Sequence, residues 1–248
     1  MDLGANVDGY LRELVARARG TLGDELRGVC LMGSAAVGAY RPGRSDLDVA
    51  IVLERPVPVA RREAVVAALD HEALPCPARG LELVTYDRAG LAGPDGPAYL
   101  INLNTGARMD RHVSFDPHED PRFWFVLDVA IGRALGRALF GPPPAELFPV
   151  LPDRLVRGAA LDSLDWWWAH GGHRAAAVLA ACIAWRWAAG DGWASKSAAA
   201  RWAAARLDDP AVVLAALDRR EGDGTLPFDA AAAERLVAMV RGELERAA

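Results

Sequence analysis

The sequence predicts a two-part fold: strands alternating with helices over residues 1–117, then a half, 118–248, built from helices alone. Three observations carry this reading. Short apolar runs alternate with stretches of helical period in the first part. Alanine, the best helix former, dominates the second. Between them "FDPHEDP" breaks both patterns with acids and two prolines near Asp116 to Pro121.

Taken in order, Leu11, Leu14, Val15 and Ala18 recur at helical spacing, and "GVCLM" is short enough to be a strand entering a Gly-Ser turn, with a helix opening at Ala35. Asp46 to Leu53 reads as a second strand, Val65, Val66 and Leu69 restore a helical period, and "LELVTY", Leu81 to Tyr86, is a third strand. Strands separated by helices indicate a sheet partly covered by helices. Beyond Pro121, "RFWFVLDVAIGRALGRALF" is helical in period to Phe140, and "GPPPAELFPVLP" is a proline-stiffened connection. Helices follow over Asp153 to Trp168, Arg174 to Ala189, Ser195 to Leu207, Pro210 to Arg220 and Asp229 to Arg246. The tryptophans at 166, 167, 168, 185, 187, 193 and 202 are expected mainly in the core, because a small helical domain needs large side chains there.

A net charge of -5 offers no electrostatic reason to bind a polyanion, so a cationic small molecule suits the surface better than nucleic acid. Cys30, Cys76 and Cys182 are too few and too far apart for a disulfide framework and read as reduced, buried thiols. The N-terminus lacks an apolar signal core and the longest apolar run, Ala175 to Trp185, is too short to span a bilayer, so a soluble cytoplasmic protein without a membrane partner is expected. His170 and His173 flank Gly-Gly without further ligands, which makes a poor zinc site.

The chemistry is concentrated in "LMGSAAVGAYRPGRSDLDVAIVLE". Strand side chains alternate, so Asp46 and Asp48 project one way while Leu47, Val49, Ile51 and Leu53 project into the core. Two carboxylates this close repel unless a cation lies between them, and hard oxygen ligands at this spacing suit Mg2+ shared with substrate phosphates. Gly33 lets backbone approach an anion, the Ser34 hydroxyl donates to it, and Arg44 and Ser45 add charge and a further donor. Glu82 lies opposite Leu81, Leu83 and Thr85, and meets the aspartates if its strand neighbours theirs.

Gly-Ser, eleven residues, Asp-Leu-Asp and a later strand with a lone Glu resemble the nucleotidyltransferase superfamily that includes DNA polymerase beta. "LFGPPPAELF" and "AAGDGWASKSAAARWAAARL" narrow the resemblance to the streptomycin and spectinomycin adenylyltransferases, which modify aminoglycosides. It implies an α+β nucleotidyltransferase domain with a mixed sheet, followed by an all-α C-terminal domain, with ATP and drug bound between them. It also implies metal binding by Asp46 and Asp48, a catalytic base at Glu82, a phosphate-binding turn at Gly33 and Ser34, and nucleotide contact by Lys196. The implied reaction is Mg2+-dependent transfer of AMP from ATP to a hydroxyl of a small, cationic acceptor, an antibiotic-resistance activity, by a chain acting as a monomer. The chain departs from the family at "GGHRAAAVLAACIAW", where acids expected to serve the drug's cationic groups are replaced by His173 and Arg174. Asp128, Asp162 and Asp165 are the alternative acids. Transfer to a protein or RNA, and nucleotide or antibiotic binding without catalysis, are the competing readings.

Overall fold

Alternation decides the first unit. Leu47, Val49, Ile51 and Leu53 of strand β2 (Leu47–Leu53), with Leu81 and Leu83 of β3 (Leu81–Asp87), form one buried face of a sheet. That face is covered by α1 (Ala5–Leu22), through Leu11, Leu14 and Ala18, and by α3 (Val59–Leu69), through Val65 and Leu69. The computed structural model describes residues 3–170 and 174–246. His173, a replacement at the expected drug-binding position, lies outside the described residues.

The remaining strands are β1 (Leu26–Leu31), β4 (Ile101–Gly106), β5 (Met109–Ser114) and β6 (Arg137–Phe140), and the sheet order is β5-β4-β3-β2-β1-β6. Only the β2/β3 pair is parallel among these ladders, so the sheet is mixed. β1 ends in a single helical turn, α2 (Gly33–Ala36), which starts two residues earlier than the sequence predicts. The opposite face of the sheet carries a second, smaller core of Cys30, Ala50, Val52 and Tyr86 beneath Phe125 and Val129 of α5 (Arg122–Leu135). Short helices α4 (Arg88–Leu91) and α6 (Pro144–Leu147) complete this unit.

The chain divides into two compact units, Met1–Leu151 and Pro152–Ala248. α5 and β6, which the sequence pattern groups with the helical half, therefore lie in the first. The helical period to Phe140 misleads because Gly136 caps α5 and the next four residues complete the exposed edge of β1 as an antiparallel strand. The acidic segment read as a boundary is also tied down, since Asp120 accepts hydrogen bonds from Tyr99 and Asn102.

The second unit contains α7 (Asp153–Ala169), α8 (Arg174–Arg186), α9 (Lys196–Ala204), α10 (Ala211–Glu221) and α11 (Ala230–Arg246). Helix α8 packs against the other four, which explains why it is apolar around much of its circumference. The core consists largely of small residues: Ala177, Ala181, Cys182, Ala199, Ala200 and Ala216 are all fully buried. The seven tryptophans are instead only partly buried, contrary to the expectation of core positions. Alanine faces bring helix backbones close, and no space for indoles remains between them. The rings pair at the surface, as in Trp187 stacked on Trp193 and Trp185 edge-on to Trp202. Among the described residues no helix is long and apolar enough to cross a membrane.

Candidate functional site

Register brings the acids together. β2 and β3 run parallel with Asp48 directly beside Glu82, so both carboxylates leave the sheet on the same face at neighbouring positions. Asp46 precedes β2, its side chain 24% exposed and 3.5 Å from the Arg79 guanidinium. Asp128 joins from above: on α5 it shares the inward stripe with Phe125 and Gly132, and its charge is felt at Glu82. Burial first, then the Asp48, Asp46 and Asp128 charges, pushes the Glu82 carboxyl up to about 8, with Arg79 acting in the opposite direction. Four acids crowd one sheet face, a costly arrangement for a purely structural surface.

The Gly33–Ser34 turn is fitted to this group. Met32 N–H donates to the Asp48 carbonyl at 2.8 Å, which holds the end of β1 against the start of β2. Gly33 adopts φ +56°, and a β-carbon there would lie 1.8 Å from Asp48 Oδ2, so only glycine leaves the carboxylate its place. Ser34 Oγ is buried and has no hydrogen-bond partner among the described residues, a donor awaiting an acceptor. Ser45 serves the loop instead, its hydroxyl accepting from the Arg41 N–H at 3.0 Å. Arg44 is exposed on the same loop. Lys196 opens α9 in the second unit, behind the Ser195 cap. The structure thus gathers Gly33, Ser34, Asp46, Asp48 and Glu82 in one unit, with Arg44 and Ser45 alongside.

The donor set suits a hard divalent cation: carboxylate oxygens only, mutually repelling, beside an unmet hydroxyl. Among the described residues no three His, Cys, Asp or Glu side chains form a ready-made metal cage. Of the alternative acids, Asp165 is paired with Arg241 and Asp162 is exposed. Asp128 alone of the three reaches the Glu82 face.

Sequence reasoning missed Arg79, Asn104, His112 and Asp120. Asn102 and Asn104 alternate with Ile101, Leu103 and Thr105 in "INLNT", a period-two signal that marks both a strand and its polar face. Glu82 is beside Asn104, and Asn104 beside His112, so the row continues across the sheet.

The nucleotidyltransferase domain family matches residues 13–78, which include the Gly33–Ser34 turn, Asp46 and Asp48. No curated protein matches the chain. Among solved structures, spectinomycin adenyltransferase AAD(9) from Enterococcus faecialis, with ATP and spectinomycin, is similar with a TM-score of 0.71 at 15% identity, covering 97% of this chain and 100% of that one. Residues 13–78 are thus similar to a nucleotidyltransferase domain, and the chain as a whole shares its fold with spectinomycin adenyltransferase.

Proposed function

We propose that the protein transfers AMP from ATP to a hydroxyl of a small, cationic acceptor of the aminoglycoside or aminocyclitol class. The observation that supports this best is the in-register Asp48 and Glu82 pair beside a glycine turn shaped around Asp48. The solved relative contains ATP and spectinomycin, which agrees with the same co-substrate and acceptor class here.

In this reading the Gly33 backbone and Ser34 hydroxyl bind phosphate oxygens, while Arg44 and Lys196 contribute charge. Asp46 and Asp48 would hold Mg2+, whose positive charge neutralises the phosphates and relieves the repulsion among the carboxylates. Glu82 is the base. It takes the acceptor's hydroxyl proton as that oxygen bonds to the α-phosphorus, the bond to the β-phosphate oxygen breaks, and pyrophosphate leaves. Asp128 and the aspartates give the face a negative potential that favours an ammonium-bearing acceptor.

The test is pyrophosphate release from ATP and Mg2+ with a panel of aminocyclitols and aminoglycosides. Release with at least one acceptor, abolished by EDTA and reduced about 100-fold or more in Asp48→Asn, is expected. Undiminished turnover in Asp48→Asn refutes the reading. Labelled AMP appearing in protein or RNA rather than in the drug moves the acceptor to another class.

A further inference from the structure

Beyond Glu82 the same sheet face carries an arrangement that nucleotide transfer by itself does not require. Asp48, Glu82, Asn104 and His112 are successive cross-strand neighbours, so they form one row of polar side chains over β2, β3, β4 and β5. Strands lie about 4.8 Å apart, which puts His112 roughly 10 Å from Glu82 along the row. The far end is built with care. Asp120 Oδ2 accepts from Tyr99 Oη at 2.6 Å and from Asn102 Nδ2 at 3.0 Å, while His112 Nε2 lies 3.2 Å from Asp120 Oδ1 and 3.3 Å from Oδ2. Three donors fix this carboxylate, and the carboxylate fixes the imidazole.

The ring is held but not used up. The His112 side chain is 41% exposed, and among the described residues Nδ1 has no hydrogen-bond partner. A tautomer that donates Nε2–H to Asp120 leaves Nδ1 to accept from a hydroxyl or amine N–H.

We propose that His112, positioned by Asp120, binds the distal end of the acceptor and selects acceptors long enough to span about 10 Å, two or more sugar-sized rings rather than one. This rests on the nucleotidyl-transfer reading and adds to it the size of the substrate. Glu82 engages the hydroxyl to be modified. Asn104 lies beneath the middle of the molecule, and His112 Nδ1 receives a donor from its far ring. Asp120 is a positioning residue and touches no substrate.

The experiment compares the full-length wild type, H112A, D120N and the double variant, with spectinomycin as the multi-ring probe and 2-deoxystreptamine as the single-ring probe. Loss of one neutral hydrogen bond is expected to raise KM for spectinomycin about three- to tenfold in H112A, with kcat and KM for ATP unchanged and no effect on the single-ring probe. D120N is expected to give a smaller rise in the same KM, and the double variant to equal H112A, because both act through one contact. Imidazole nitrogen NMR of the ATP-free protein supplies a reading independent of turnover: spectinomycin is expected to shift the His112 Nδ1 resonance. Turnover of spectinomycin with no His112 shift and no KM effect overturns the proposal and leaves nucleotidyl transfer standing. A His112 shift without turnover keeps the binding site and refutes the reaction. Neither shift nor turnover overturns both.

Discussion

Gly33→Ala separates the turn's chemistry from its backbone strain. An added β-carbon would lie 1.8 Å from Asp48 Oδ2 and 2.4 Å from its Cγ. Ordinary contact begins near 3.5 Å, so the carboxylate must withdraw by roughly 1.7 Å or the turn must open. A 1 Å misplacement of a reacting group costs about 100-fold, so turnover should fall by about that factor or more. The positive φ adds about 1–2 kcal/mol of strain to any non-glycine residue. Gly23→Ala controls for this term, because Gly23 has φ +55° and nothing within 4 Å of the added carbon. Both variants should therefore melt about 2–8 °C below wild type. Only Gly33→Ala should lose activity, measured as pyrophosphate release at saturating ATP. Equal turnover in the two variants would show that the close approach to Asp48 has no functional consequence.

Replacing Glu82 with Gln should reduce kcat by about 10²–10⁴ with the fold and KM for ATP retained, read by steady-state kinetics and circular dichroism. Lys196→Ala, at the start of α9, should raise KM for ATP in steady-state kinetics, and an unchanged KM would contradict a nucleotide contact there. Asp70 offers a pH-dependent test of stability. Burial opposes its charge, but hydrogen bonds from Arg111 at 2.7 Å and Thr105 at 2.8 Å outweigh it and hold the carboxyl below its usual range. A depressed value means stabilisation present above about pH 4 and lost as the pH falls through the folded value. Asp70→Asn should thus cost about 2 kcal/mol at pH 7 by chemical denaturation, with the difference shrinking as the pH falls through the folded value, and a pH-independent difference would contradict the assignment.

Much of the first unit was legible because alternation and burial coincide. Leu47 through Leu53 and Leu81 through Thr85 carry their orientation in the order of residues, so the side on which Asp48 and Glu82 emerge could be read directly. The hairpin of β4 and β5 was missed, and with it Asn104 and His112, because "DRHV" is polar on both faces of an edge strand. β6 was read as helix because "RALF" continues a helical period. Its strand conformation depends on the unsatisfied edge of β1, which no local pattern contains.

The sequence alone determined the chemistry available: a glycine where a side chain would collide with an aspartate, two acids on alternate positions, and a third acid on another strand with the same parity. Parity is local, since backbone geometry turns successive side chains to opposite faces. Neighbourhood is not local. Only the tertiary structure decided that β3 pairs in parallel with β2 so that Glu82 meets Asp48, that α5 lowers Asp128 toward them, and that Asp120 returns to hold His112 at the end of the row. The first two depend on segments tens of residues apart burying apolar surface together, and the third on a turn of the chain that brings Asp120 back to His112.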